Sequence, residues 1–184
     1  MIQTIGAPSL LVALPNLRDP YFQKTVVLLC DYTEESAFGV VINRPSPVKV
    51  KDILNEETVL ATDITTPILL GGPVQAEFLW SVHSSEYTGN STTVINNHIH
   101  MSSILEVLNA LSEGRGPHTF HLGCGYAGWG PGQLDNELKE GAWWIQDVST
   151  DLVLDMAYGQ RWEAVLASLG IDPAVTSFFQ TGEA

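Results

Sequence analysis

The residues with the most distinctive chemical pattern lie in one glycine-rich segment, Gly123 to Gly132. Its first six residues match G-x-G-x-x-G and stand between a predicted strand and a predicted helix. Asp147 follows at the end of the next predicted strand, near the spacing of the acidic residue that binds ribose in dinucleotide sites. In such sites, however, the helix begins at the third glycine, so that its free amides meet the pyrophosphate. Here Trp129 to Gly132 separates that glycine from the helix, which argues against dinucleotide binding.

A second interpretation is that the glycine-rich segment forms a rigid corner between a strand and a helix. Gly130 would cap the helix, and Pro131 would take its first position, where the missing N–H costs nothing. Gly125 and Gly128 would permit positive φ or close packing. Trp129 would then be a large anchor in the core.

A third interpretation is that the same segment binds a ligand, and the sequence leaves it open beside the second. Amides at Gly132 and Gln133 would face solvent at the start of a helix, with Tyr126 and Trp129 as an aromatic wall. Gln133 and Glu137, one helical turn apart, would add polar groups on one face. A small anionic or acyl group suits this arrangement. The predicted ligand-binding residues are Asn43, Arg44, Gly125, Tyr126, Gly128, Trp129, Gly132, Gln133 and Glu137.

Cys30 is the single candidate for a catalytic residue. It ends an apolar run, where a thiol commonly serves as a small buried hydrophobe. The alternative is a reactive thiolate, which needs a positive neighbour such as Arg18 or Arg44. A redox pair with Cys124 is a further alternative. On these alternatives the protein would be an enzyme or a redox sensor.

No other pattern in the sequence supplies catalytic or metal chemistry. His98 and His100 share one face of a predicted strand, but neither H-E-x-x-H nor paired C-x-x-C spacing completes a metal site. The sequence also lacks a G-x-S-x-G elbow and a P-loop. We therefore expect no metal ion and no cofactor, and a binding role is favoured over an enzymatic one.

The composition predicts one acidic globular domain over residues 1–184. Apolar residues make up 45% of the chain and charged residues 16%, enough for a core that needs no metal or disulfide. Eight Lys and Arg stand against 21 Asp and Glu, for a formal net charge of −13. Since cations that neutralise phosphates supply most nucleic-acid affinity, direct DNA or RNA binding is disfavoured. With no export signal and no apolar run of about 18 residues, we expect a cytoplasmic protein outside the membrane.

Strands dominate the first half of the chain and helices the second, which predicts an α+β fold with a mixed sheet. The continuous apolar run from Thr25 to Cys30 suits a strand that is buried on both faces. The other predicted strands are Leu10–Ala13, Phe38–Ile42, Ile68–Leu70, Phe78–His83, His118–Leu122 and Ala142–Gln146, with a hairpin around Asn96-Asn97. The predicted helices are Lys49–Asn55, one capped by Ser102 or Ser103 and running past Leu111, Gln133–Glu140, Asp151–Met156 and Gln160–Leu169.

The residues from Gly125 to Leu134, followed by Glu137-Leu138 and Gly141-Ala142-Trp143, resemble the signature of the bacterial YqgE/AlgH family. The resemblance extends from about Leu10 to Ile171. Other blocks agree in order, and they are Leu14–Phe22, Val26–Cys30, Gly39–Pro45, Gly71–Val74, His83 and Arg161-Trp162.

The resemblance implies a bacterial, cytoplasmic α+β protein whose mixed, barrel-like sheet is flanked by helices. The family has no established enzymatic activity, and some members are labelled transcriptional regulators without a DNA-binding motif. Cys30 matches the family's cysteine, but Asp31-Tyr32 stands where many members have Glu-His, which weakens a shared Cys–His chemistry. Gly123-Cys124 is not typical before the loop, which makes the dinucleotide match accidental. Together with the residues, the resemblance predicts a non-catalytic regulatory domain that binds a small ligand or a protein.

Overall fold

The computed structural model describes residues 4–54 and 64–174 of the chain. The strands within them are β1 Ser9–Ala13, β2 Val26–Tyr32, β3 Ala37–Val41, β4 Ile68–Leu70, β5 Val74–Ser84, β6 Thr93–Val94, β7 Ile99–Ser103, β8 Phe120–Trp129 and β9 Trp143–Gln146. The helices within them are α1 Val50–Ile53, α2 Ile104–Ser112, α3 Gln133–Lys139, α4 Thr150–Leu154 and α5 Tyr158–Ser168. The predicted helix Lys49–Asn55 corresponds to α1, and Asn55 lies outside the described residues.

The strands form one curled sheet in which β6, β7, β5, β8, β3, β2, β1 and β9 lie side by side. The sheet is mixed because β4 runs parallel to β8, whereas the other paired strands are antiparallel. β8 joins the two parts of the sheet, since its first half pairs with β5 and β4 and its last three residues pair with β3. The result is a half-barrel flanked by helices, which confirms the predicted α+β fold with a barrel-like sheet.

The core lies on both faces of the sheet, as the uninterrupted apolar run in β2 predicts. Side chains alternate along a strand, so Val26 and Leu28 join the cluster that α4 and α5 cover. Val27 and Leu29 join the opposite cluster, which α3 covers. All four side chains are fully buried. A third cluster, under α1 and α2, surrounds β4 and the start of β8.

The helices are short and cover the faces of the sheet. α2 begins after Ser103, as predicted, but no capping box forms there. Instead the Glu106 carboxylate accepts hydrogen bonds from the backbone amides of Asn90 and Ser91. None of the helices in the described ranges combines the length and apolar character that crossing a bilayer requires.

The glycine-rich segment differs most from its prediction. Residues 120–129 form one strand, so the strand that was predicted to end at Leu122 continues through Trp129 and the predicted loop is wrong. α3 then begins at Gln133, with Gly132 as its N-cap at a φ of 67°. The predicted cap at Gly130 is therefore also wrong, because Gly132 is the N-cap residue of α3.

Two of the glycines of β8, Gly123 and Gly125, are required because other backbone and ring atoms pack directly against them. A Cβ on Gly123 would lie 2.1 Å from the Trp80 ring, and one on Gly72 would lie 1.9 Å from the Tyr126 backbone. Gly125 is buried and has a φ of 73°, a conformation that residues with a side chain rarely adopt. The sequence pattern that resembled a loop thus reflects close packing of a strand.

Candidate functional site

An open groove lies where β3, β5 and the end of β8 meet, and its volume is about 640 Å³. Its lining residues are Ser36, Ala37, Phe38, Val74, Gln75, Phe78, Tyr126, Gly128 and Trp129. We call this surface the aromatic groove. Three of the residues predicted to bind a ligand, Tyr126, Gly128 and Trp129, adjoin it.

A bulge in β5 builds one wall of the aromatic groove. The register between β5 and β8 shifts between Val74 and Leu79, so residues 75–78 leave the ladder. Gln75 adopts a φ of 45°, which costs a non-glycine residue on the order of 1 kcal/mol. As a result Phe78 is 37% exposed although it lies within a strand.

Three aromatic rings contact one another in the groove. The ring centroids of Phe38 and Tyr126 are 5.1 Å apart, those of Phe78 and Tyr126 5.6 Å, and those of Phe38 and Phe78 6.0 Å. Both contacts of Phe78 are edge-to-face, the geometry that the ring quadrupoles favour. Because all three rings also remain partly open to solvent, they form a preorganised apolar surface.

Glycine keeps the space beside these rings open. Phe38 on β3 pairs with Gly128 on β8, and Gly128 is exposed. A Cβ at this position would reach within 3.4 Å of the Tyr126 ring. Without a side chain there, the groove extends between the two strands.

Phe38 and Phe78 are not among the residues that the sequence predicted to contact a ligand. Within a predicted strand, an aromatic residue is expected in the core. The available signal was their position, since each is the first residue of its predicted strand and follows a polar segment. An aromatic ring at the end of a strand can face solvent at the edge of the sheet instead of the core.

Trp129 borders the groove but belongs mainly to the core. It is 5% exposed and packs with Leu134 of α3. Its Nε1 donates a hydrogen bond to the Glu137 carboxylate at 2.9 Å. The prediction of a core anchor is confirmed, and the exposed aromatic wall is provided by Tyr126 instead.

Glu137 connects α3 to two tryptophans. One carboxylate oxygen accepts hydrogen bonds from Trp129 Nε1 at 2.9 Å and Trp143 Nε1 at 2.8 Å. The other accepts from Gln133 Nε2 at 2.9 Å, and Gln133 Oε1 accepts from the Gly130 amide at 3.1 Å. The side chains of Gln133 and Glu137, predicted to contact a ligand, therefore bond within the chain and lie outside the groove lining.

Asn43 and Arg44 stabilise the turn that precedes β2. Asn43 Oδ1 accepts from the Val26 amide, and its Nδ2 donates to the Lys24 carbonyl, both at 2.9 Å. The Arg44 guanidinium donates to the Tyr21 carbonyl and lies over the Tyr21 ring, 5.3 Å from its centroid. The structure thus places both residues in backbone contacts and not in the groove lining.

Cys30 is a largely buried thiol. Its Sγ lies 3.4 Å from the Leu28 carbonyl oxygen. Burial, together with the charge of Asp31, raises the pKa of the thiol from 9.0 to about 12. Since the thiolate is the nucleophile, this environment argues against a catalytic or redox-sensing role. Cys124 is also a free thiol, and burial raises its pKa as well.

A buried histidine and serine form a contact that the sequence spacing did not reveal. His83 Nε2 lies 2.8 Å from Ser102 Oγ, a distance typical of a base and a nucleophile. Ser102 Oγ also lies 2.7 Å from Thr92 Oγ1, and His83 Nδ1 lies 3.0 Å from the Ser84 carbonyl oxygen. Because His83 is 0% and Ser102 3% exposed, a substrate cannot reach the hydroxyl. The contact joins β5 to β7.

The candidate metal ligands His98 and His100 lie in different environments. His98 is exposed, whereas His100 is buried with its Nδ1 3.1 Å from the Tyr87 carbonyl oxygen. Across residues 4–54 and 64–174, no three His, Cys, Asp or Glu side chains gather into a group that could hold a metal ion.

Arg161, in the Arg161-Trp162 block named above, is a buried cation. Arg161 is 0% exposed, and its guanidinium donates to the carbonyl oxygens of Met156 at 3.0 Å and Ile42 at 2.6 Å. It also lies 4.7 Å from the centroid of the Tyr158 ring. Burial lowers its pKa to about 10, so it stays charged at neutral pH. It links α5 to the end of β3.

A second groove, of about 740 Å³, lies between α2 and the segment that precedes β6. Its charged groups are already engaged within the chain. Glu106 accepts from the amides of Asn90 and Ser91, and Arg115 pairs with Glu113. We therefore take the aromatic groove as the candidate functional site.

The sequence matches known proteins over nearly its whole length. A family model described as AlgH-like matches residues 10–174. The chain belongs to the AlgH-like family. The UPF0301 protein of Paraburkholderia phymatum is 37% identical over 171 residues, which cover 91% of this chain and 90% of that protein. The UPF0301 protein of Nitrosospira multiformis is 32% identical over 165 residues, covering 88% and 89%.

Two solved structures have the same AlgH-like fold. The solution structure of the AlgH protein from Pseudomonas aeruginosa matches with a TM-score of 0.74 at 30% identity and covers 99% of this chain and 98% of that one. The crystal structure of a protein from Corynebacterium diphtheriae matches with a TM-score of 0.74 at 23% identity, covering 91% and 89%. At that identity the second likeness concerns the fold alone.

Proposed function

We propose that this AlgH-like protein is a non-catalytic regulatory domain of the bacterial cytoplasm that holds an apolar or aromatic group in the aromatic groove. The observation that carries the proposal is the contact of Phe38, Phe78 and Tyr126, whose rings meet yet stay partly open to solvent. A ligand that covers them removes apolar surface from water, which is favourable by about 25 cal/mol per Å². Contiguous exposed apolar surface of this kind is typical of binding sites.

The chemistry of the lining favours binding over catalysis. Its residues include no Asp, Glu, His, Lys, Arg or Cys, so the lining offers no carboxylate, imidazole, amine or thiol to act as general acid, general base or nucleophile beside the Tyr126 phenol. The polar side chains are those of Ser36, Gln75 and Tyr126. A few hydroxyl and amide groups around an apolar surface are suited to orienting a ligand.

The composition of the groove also narrows the class of ligand. Because the lining contains no cation, an acyl or aromatic group suits it better than the small anion that the start of α3 suggested. The net charge of −13 further disfavours nucleic acid as the direct partner.

The neutral dye Nile red, which fluoresces in apolar surroundings, tests this proposal. It is titrated into the parent protein, into Phe78→Ala and into Trp144→Ala. Trp144 is a matched control because it is 38% exposed, close to the 37% of Phe78, and lies on β9 outside the groove. We expect Phe78→Ala to weaken dye binding about fivefold, since part of one aromatic surface is lost, and Trp144→Ala to leave it unchanged. Equal behaviour of the two variants would contradict the proposal.

A further inference from the structure

Three glutamates are neighbours, along the chain, of residues that line the aromatic groove, and this placement identifies the partner of the groove more closely. We propose, on the basis of the function proposed above, that the groove receives an apolar side chain from a basic protein segment. Glu34 and Glu35 immediately precede Ser36 of the lining, and Glu77 stands between Gln75 and Phe78 in the bulge of β5. All three glutamates are exposed.

The strands that build the groove bring no cation to balance these glutamates. Residues 31–41, 71–80 and 120–129 contain no lysine or arginine. Several cations of the chain are engaged in other contacts. Lys24 lies over Trp162, and Arg115 pairs with Glu113. The chain segments that carry the groove lining are therefore net negative, within a chain that is already strongly acidic.

The groove glutamates, unlike Glu86 and Glu137, have no partner within the part of the chain that the structure describes. Glu86 contacts His118, and Glu137 accepts hydrogen bonds from two indoles. In the part of the chain that the structure describes, the carboxylates of Glu34, Glu35 and Glu77 make no ion pair and accept no hydrogen bond. A basic partner would therefore pair with these carboxylates without breaking any contact within the chain. Complementary charge of this kind steers association and selects the partner.

The shape of the site favours a protein segment over a small molecule. Pockets for small ligands are concave and bury most of the ligand surface, whereas this groove is open and Phe78 remains 37% exposed. Apolar anchors surrounded by a polar, charged border are typical of protein interfaces. A segment with one aromatic or aliphatic side chain among lysines or arginines fits both features.

Three blocked peptides test this partner chemistry, each with one central phenylalanine between two flanking residues on either side. The flanking residues are lysine, glutamine or glutamate, and affinity is measured by titration calorimetry at low and at physiological salt. We expect the lysine peptide to bind about tenfold tighter than the glutamine peptide at low salt, and the difference to shrink as salt screens the charges. The glutamate peptide should bind most weakly.

Matched variants test whether the groove glutamates cause the preference for the lysine peptide over the glutamine peptide. The triple variant E34Q/E35Q/E77Q should remove the preference for lysine over glutamine. The control E140Q/D147N/E163Q changes the net charge equally, at exposed positions outside the lining, and should keep that preference. F78A should weaken the lysine and glutamine peptides alike.

The possible outcomes separate this inference from the proposed function. If the lysine and glutamine peptides bind equally and both depend on Phe78, the basic partner is overturned while binding in the groove stands. If the two triple variants behave alike, the border glutamates do not select the partner and the inference is overturned. If neither the peptides nor Nile red depend on Phe78, the proposed function itself fails.

Discussion

The indole Nε1 of Trp80 donates a hydrogen bond to the carbonyl oxygen of Gly125 at 2.8 Å. This contact fixes the point where β8 passes from its pairing with β5 to its pairing with β3. The Trp80 ring occupies the space that a side chain on Gly123 would need. The position of Tyr126, and with it the aromatic groove, therefore depends on the packing of Trp80 against the backbone of Gly123 and Gly125.

Substitution of Gly123 by alanine is expected to destabilise the protein. The new Cβ would lie 2.1 Å from the Trp80 ring, and overpacking of this kind costs about 3 kcal/mol. The measurement is the free energy of unfolding in urea. Gly130→Ala is the matched control, because nothing lies within 4 Å of its added Cβ. A loss in G123A no greater than in G130A would contradict the packing described here.

Removal of the Glu137 carboxylate is expected to loosen α3 from the sheet. In Glu137→Ala the indole N–H groups of Trp129 and Trp143, which are 5% and 3% exposed, lose their acceptor. The expected loss of unfolding free energy is about 3 kcal/mol, since each buried donor left unpaired is costly. Gln133→Ala removes two hydrogen bonds, both exposed to solvent, and should cost less than about 1 kcal/mol. Similar losses in the two variants would show that Glu137 does not hold the tryptophans.

The sequence predicted the strands of the core well because their signal is local. The apolar run in β2 indicates burial on both faces whatever its neighbours are. The bend of β8 could not be predicted in this way, because it depends on Trp80, which is 45 residues from Gly125 along the chain. The bulge that exposes Phe78 likewise follows from the register between two strands. Gly123 and Gly125 of β8 are therefore explained by distant contacts and not by loop formation.

Stability is expected to fall in acid because of His121. Its Nδ1 lies 2.7 Å from the Tyr158 hydroxyl and its Nε2 2.8 Å from the Leu154 carbonyl oxygen. Burial, with a smaller effect of Arg161, lowers the pKa of His121 from 6.5 to about 4. The unfolded chain therefore binds a proton between these pH values that the folded chain does not. Over that interval the protein should lose about 3 kcal/mol of unfolding free energy through this group.

The pH dependence of His121→Gln isolates that contribution. Whatever its stability at neutral pH, this variant should lose less unfolding free energy than the parent as the pH falls from 6.5 towards 4. His98→Gln, at an exposed position, serves as the control and should retain the parent's pH dependence. Parallel curves for parent and H121Q would contradict a buried neutral imidazole.

Cys30 is expected to resist alkylation in the folded protein. A pKa raised from 9.0 to about 12 lowers the thiolate fraction at neutral pH about a thousandfold. The measurement is labelling by N-ethylmaleimide in a Cys124→Ser background, followed by mass spectrometry. Labelling should become rapid only in urea. Rapid labelling of the folded chain would return Cys30 to consideration as a nucleophile.

The most direct test of the account is to locate where an aromatic group binds. N-acetylphenylalaninamide is titrated into ¹⁵N-labelled protein, and backbone amide shifts are followed by NMR. We predict that the largest shifts cluster at residues 37–38, 75–78 and 126–128, and that they are reduced in Phe78→Ala. Shifts that are concentrated instead at the second groove, around Tyr87 and Arg115, or that are unaffected by Phe78→Ala, would contradict binding in the aromatic groove.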